Sequence, residues 1–293
     1  MKFLDIRTDF AFKKVFGSED SKVRLISFLN SVITFPANAK IQDLTIVDPY
    51  NIPQLRGMKD SFVDVKAVLD NDNKVIIEMQ VLNHDGFEKR ILYNAAKNYS
   101  AQLLEGEQYS LLNPIIALTI VDFIMFEGMD KVISNFKLLE KEQFINYSDD
   151  LEMVFIELPK FNKKLDELSN ITEQWIYFIK NAGSLEYIPE NLPDAITSAF
   201  ETSNTANLSQ EELEIQYKKR EFISVQKLAL QQARRLGVEE GLAEGEARGE
   251  ARGEARGRLQ EKTSIAKQLK QSGVEVNIIA ATTGLSLEDI DFL

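Results

Sequence analysis

Two β-rich runs, residues 62–69 and 74–82, flank Asp70-Asn71-Asp72-Asn73, and this arrangement constrains the fold more than any other feature of the chain. Turn-forming side chains between such runs predict a hairpin. Successive side chains of a strand point to opposite faces. Val63, Val65, Ala67 and Leu69 therefore share one face, and Phe62, Asp64, Lys66 and Val68 the other. In the second run Val75, Ile77, Met79 and Val81 oppose Ile76, Glu78, Gln80 and Leu82. Both faces are partly apolar, the pattern of strands covered on both sides.

Loop length decides where two acids point. A two- or four-residue loop makes paired positions sum to 143, placing Asp64 opposite Met79 and Glu78 on the other face. A three-residue loop or a β-bulge shifts the sum by one, and Asp64 then faces the same way as Glu78. Cooperation between these carboxylates requires the irregular alternative.

The remaining pattern supplies partners for the hairpin. Residues 8–33 read as two helical pieces broken at Gly17, and Leu44 to Asp48 as a strand followed by a loop from Pro49 to Gly57. Residues 87–105 carry the helical stripe Ile91, Leu92, Ala95, Ala96, Tyr99 and Leu103, with Arg90, Asn94 and Lys97 on another stripe. Pro114 to Val121 is almost uninterrupted apolar sequence of strand length, read as a central strand, and Met153 to Leu158 as another. Beyond Pro159 the chain reads as helical, with Trp175, Phe178 and Ile179 as a packing stripe. This order predicts an α/β fold with a mixed sheet and helices on both faces.

Composition narrows the chemistry. A chain of 293 residues suits a main domain plus an appendage. With no cysteine and one histidine, His84, a metal would be held by oxygen ligands. No apolar run is long enough to span a membrane and the N-terminus lacks a signal-peptide pattern, so no membrane association and a cytoplasmic location are expected. The formal charge of −12 argues against a nonspecific nucleic-acid binder, yet residues 1–110 carry 14 Lys+Arg against 15 Asp+Glu. An acidic rear half leaves room for a phosphate-binding front half.

That rear half contains Glu-Ala-Arg-Gly repeats from Glu246 to Gly257, with glycine at every fourth position from Gly237. Within the repeat glutamates follow glutamates and arginines follow arginines at i+4, so intrahelical pairing gives no support. Six glycines at about 1 kcal/mol each weaken an isolated helix. Either the segment is a helix that pairs with another copy, giving a homo-oligomer through residues 237–293, or it is a solvated linker. The last thirty residues outline two short helices joined at Thr283-Gly284. The acidic second one, Leu287 to Asp291, suits packing better than groove reading.

Asp64, Glu78 and Gln80, projecting into one volume, are suited to metal-assisted phosphodiester hydrolysis. Mg²⁺ is held by one or two carboxylates plus phosphate oxygens and waters. From the hairpin alone, acids placed for solubility are the ordinary explanation of the pattern and chemistry the exception. The stretches Thr8 to Gly17, Asp64 with Glu78-Met79-Gln80, Phe87 to Tyr109, Phe155 to Phe161, and Trp175 resemble the recombination-promoting nuclease and transposase family, a bacterial branch of the PD-(D/E)XK nuclease superfamily.

The resemblance implies a restriction-endonuclease-like core over residues 1–185. Beyond it are expected a helical connector (186–236), the repeat helix or linker (237–258) and a small helical segment (259–293). It implies Mg²⁺-dependent DNA cleavage, with Mn²⁺ able to substitute, in recombination or mobile-element biology. Asp64 and Glu78 match the superfamily's metal-binding acids, Asp9 resembles an additional acidic position, and Gln80 stands where the superfamily name has Lys. An amide is neutral and orients water only by hydrogen bonds, so slow or conditional turnover is expected. Lys13, Lys14, Arg90 and Lys97 are candidates for contacting DNA, although lone basic residues on helices are generally just solvated. Tyr93 is a cleft or core residue, and His84 in Asn83-His84-Asp85-Gly86 reads first as a turn residue. The alternative function is a catalytically weak or inactive nuclease fold acting as a DNA-binding or oligomerising module.

Overall fold

A computed structural model describes residues 1–35, 39–51 and 61–293. Positions 52–57 of the expected Pro49–Gly57 loop lie outside the described residues. The chain divides into two compact units, Met1–Gln226 and Lys227–Leu293.

In the first unit the strands are β1 (Leu44–Val47), β2 (Tyr50–Asn51), β3 (Ser61–Phe62), β4 (Val65–Leu69), β5 (Lys74–Gln80), β6 (Ile115–Val121), β7 (Ile133–Leu139) and β8 (Asn146–Glu157). The helices are α1 (Asp9–Phe16), α2 (Lys22–Val32), α3 (Phe87–Ser100), α4 (Ile171–Asn181) and α5 (Asp194–Ser203), followed by α6 (Gln210–Gln271). Six strands form one sheet in the order β1-β4-β5-β6-β8-β7, while β2 and β3 pair separately. The β5–β6 and β6–β8 pairs are parallel, and the outer pairs antiparallel. Every residue of β6 is buried, as its apolar run predicts for a central strand.

Two cores cover the sheet. On one face Val65, Ala67, Val75, Ile77 and Met79 pack with Phe12, Phe16, Phe28, Trp175 and Phe200 of α1, α2, α4 and α5. On the other, Ile76, Ala117 and Phe155 pack with Phe87, Ile91 and Ala95 of α3. This is the restriction-endonuclease-like α/β arrangement.

The hairpin takes the irregular register. Val65 pairs with Ile77 and Val68 with Lys74, so paired positions sum to 142. Leu69 donates to the Asn73 carbonyl at 2.9 Å, and Asp72 donates back to Leu69 at 3.0 Å. Asp70, Asn71 and Asp72 thus form a three-residue loop. Its last residue lies at φ 64°, the left-handed position such loops require and which Asp tolerates better than most residues. Val63 departs from expectation, since it joins the core beneath α3 while Val65 faces the opposite layer. The cause is an irregularity at Asp64, described below.

Three further differences have local reasons. The helix from Phe87 stops at Ser100, short of residue 105. Strand β7 and the first half of β8 escape sequence reading because they are largely exposed and polar, with register shifts at Lys137/Leu138 and Leu138/Leu139. The repeat is helical, and Glu244–Arg248 (2.5 Å) and Glu254–Arg258 (2.6 Å) pair at i+4 where, at each end of the repeat, the sequence departs from its pattern.

In the second unit α7 (Val276–Thr283) and α8 (Leu287–Asp291) bury Ile279 and Ile290 with Ala266. Gly284, at φ 68°, closes α7 by donating to the Ala280 carbonyl, a left-handed cap that favours glycine.

Candidate active site

Asp64 lies just before β4. Its N–H donates to the Ile77 carbonyl at 3.0 Å, although the ladder pairs Ile77 with Val65. Two consecutive residues therefore oppose one, in the manner of a β-bulge. The Asp64 Oδ2 accepts the Met79 N–H at 2.8 Å, and Oδ1 lies 3.2 Å from Lys13 Nζ on α1. Glu78, on the α3 face of β5, is ion-paired with Arg90. The same Arg90 nitrogen donates to Gln80 Oε1 at 2.9 Å, while Gln80 Nε2 donates to the Leu82 carbonyl at 2.8 Å. That second bond fixes the Gln80 amide with its oxygen toward the arginine.

The two carboxylates are gripped from different layers, Asp64 by a lysine on α1 and Glu78 by an arginine on α3. The Asp64 and Glu78 side chains are 12% and 13% exposed, those of Lys13 and Arg90 44% and 43%. Acids lie inside and cations outside. Burial pushes the Glu78 carboxyl above its ordinary pKa, with Arg90 opposing and the negative charge of Asp64 adding. Burial likewise raises Asp64, against the Met79 N–H and Lys13, with a contribution from Asp9. Glu78 feels Asp64 as a like charge, an influence smaller than burial and than Arg90.

A family model described as PD-(D/E)XK nuclease family transposase matches residues 6–233. The chain belongs to this family. No curated protein and no solved structure matched.

In this nuclease-family transposase the site geometry extends past the acid motif. Asn94, one turn after Arg90, is 1% exposed, and its amide makes no hydrogen bond of full geometry but acts on the Glu78 carboxylate as a weak donor. It lies close enough to Glu78 to offset part of that group's raised pKa. A cavity of about 10 Å³, the size that holds one water, is lined by Glu78, Asn94 and Thr119 among others. Thr119 is the residue paired with Glu78 across the parallel β5–β6 ladder. Sequence reasoning placed Asn94 on the Arg90 stripe without a role. The signal was an amide one turn after an arginine, on a helix following the acid motif.

The other candidates are placed as follows. Asp9 is bound to Lys219 on α6 at 2.9 Å, and Lys14 to Glu212 at 2.5 Å. Lys97 is 3% exposed, with its ammonium 5.9 Å from the centre of the Tyr93 ring. His84 is in the turn before α3, where its carbonyl accepts the Phe87 N–H at 3.0 Å. Among the described residues no group of three or more His, Asp or Glu side chains stands together in metal-binding proximity. The side-chain oxygens at the end of the hairpin are the Asp64 and Glu78 carboxylates and the Gln80 amide oxygen, the last accepting from Arg90. Among the described residues, no helix is long and apolar enough to cross a membrane.

Proposed function

We propose that this nuclease-family transposase is a Mg²⁺-dependent DNA endonuclease in which Asp64 and Glu78 hold the ion. The observation that supports this reading is the hairpin with its two buried carboxylates, Asp64 at the bulge before β4 and Glu78 on β5, each held by a cation from a flanking helix. Oxygen donors of this kind fit a hard divalent cation, which needs only one or two carboxylates when phosphate oxygens and waters complete its shell. Bound there, Mg²⁺ supplies Lewis acidity toward the scissile phosphate and lowers the pKa of a water, and Mn²⁺ serves in the same role.

The protein's own groups do the rest. Lys13 and Arg90, exposed and already paired to the acids, turn toward phosphate oxygens when DNA arrives. Asp9, one turn before Lys13, adds negative charge favouring a cation. Gln80 orients the attacking water through its amide, as a neutral group can. Lys97, buried at Tyr93, supports the DNA-facing side of α3 from within rather than at its surface. Cleavage of supercoiled plasmid in Mg²⁺, abolished by EDTA, tests the reading.

A second reading is favoured by the exposed repeat. Each glycine from Gly237 to Gly257 has nothing within 4 Å of the place a Cβ would occupy, on a helix that glycine weakens. Residues 237–293 then form a homo-oligomeric contact, and the catalytic site is secondary to binding. Sedimentation of the chain with and without these residues tests it, and an unchanged oligomeric state would overturn it.

A further inference from the structure

A second concavity adjoins the carboxylates. Among the described residues, a pocket of about 620 Å³ is lined by Phe62, His84, Lys89, Arg90, Tyr93 and Asn94, with others. Its volume falls in the range of small-molecule sites. It shares Arg90 with Glu78, so whatever fills it lies next to the acids.

Its chemistry has three parts. Phe62 is 64% exposed, and its ring is stacked on Tyr50 with centroids 4.6 Å apart. An aromatic ring held flat from one side and open on the other is a stacking platform. Lys89 and Arg90 stand in the lining beside the start of α3, together with Asp85, and Arg90 is paired with Glu78; Gly86 has no side chain with which to cap that helix. Asn94 lines both this pocket and the small cavity at Glu78, so the pocket is continuous with the acid site.

Duplex DNA would not use these features together. Its grooves offer base edges, but the faces of its bases remain stacked inside the helix, out of reach of an aromatic ring. An aromatic-walled pocket beside the acids suits a base that has left the stack. We infer that this pocket receives an unpaired nucleobase of the DNA whose phosphate is cut at Asp64 and Glu78. The substrate class is thus DNA with a single-stranded or extrahelical nucleotide beside the cleaved bond. This inference rests on the endonuclease reading and narrows its substrate.

The test uses the full chain with Ca²⁺ replacing Mg²⁺, so that binding is read without cleavage. Three oligonucleotides carry 2-aminopurine in a fully paired duplex, in a one-nucleotide bulge and in a single strand. The bulged and single-stranded forms are expected to bind about tenfold tighter than the paired duplex, with quenched fluorescence as the base stacks. Phe62→Ala should abolish both the preference and the quenching, while Phe62→Trp retains them. Equal affinity for all three DNAs, or a preference unchanged in Phe62→Ala, would overturn the inference. Quenching without plasmid nicking would overturn the endonuclease reading alone, and nicking without quenching would overturn the base pocket alone.

Discussion

The Asp64 carboxylate accepts the backbone N–H of Met79 at 2.8 Å, so a metal-ligand candidate also serves as a rung between β4 and β5. Removing it has two separable consequences. Asp64→Ala leaves a buried N–H unpaired and should destabilise the protein by about 1–3 kcal/mol, whereas Asp64→Asn keeps an acceptor in place. Urea unfolding should rank Asp64→Ala below Asp64→Asn, and both variants should lose nicking. Equal stability of the two would show that the rung contributes nothing.

The raised carboxyls predict opposite pH trends for stability and activity. An acid whose folded pKa lies above its unfolded one contributes stability below the unfolded value, which is lost as pH rises through the folded value. The ordinary values are 3.8 for Asp64 and 4.5 for Glu78, and both shifts are upward. At neutral pH the double variant Asp64→Asn/Glu78→Gln should therefore be more stable than the parent. Denaturation at a series of pH values should show the gap closing as pH falls below the ordinary carboxylate values. Nicking by the parent should run the other way, falling with acidification already above the ordinary carboxylate range, because both acids must be ionised to hold a cation.

Arg90 is a positioning residue, bridging Glu78 and Gln80 through one nitrogen. Arg90→Ala should lower nicking by about 10- to 100-fold, the usual effect of losing a group that orients a ligand. It should also move the acid limb of the pH–rate profile to higher pH, since Glu78 loses its main opposing charge. A purely structural role would lower the amount of folded protein and leave that limb in place.

The loop at Asp70 to Asp72 fixes the register of β4 against β5. At φ 64°, Asp72→Gly should be neutral or stabilising, and Asp72→Val should cost about 1–2 kcal/mol. Urea unfolding of the two variants checks this, and equal stability of Asp72→Gly and Asp72→Val would mean that the left-handed turn is not held.

Much of this was legible in the sequence because burial on both faces leaves a mark. The apolar run of β6 and the two-sided hairpin predicted a covered mixed sheet, and the parity of the hairpin loop posed the register question correctly. Val63 was not legible, since strict alternation cannot anticipate a bulge at Asp64 that turns the chain over. Strand β7 and the outer half of β8 were missed because an exposed, polar edge gives no hydrophobic period. Asn94 was invisible as a site residue, because an amide on a helix stripe carries no sign of being buried beside a carboxylate until the helix is docked.

The most direct measurement is plasmid nicking in Mg²⁺ by the parent protein, Asp64→Ala and Glu78→Ala, with EDTA controls. The parent should convert supercoiled DNA to nicked or linear product only with the metal present, and each variant should lose at least tenfold of that rate. Equal cleavage by all three proteins would contradict the assignment of Asp64 and Glu78 as the metal-holding pair.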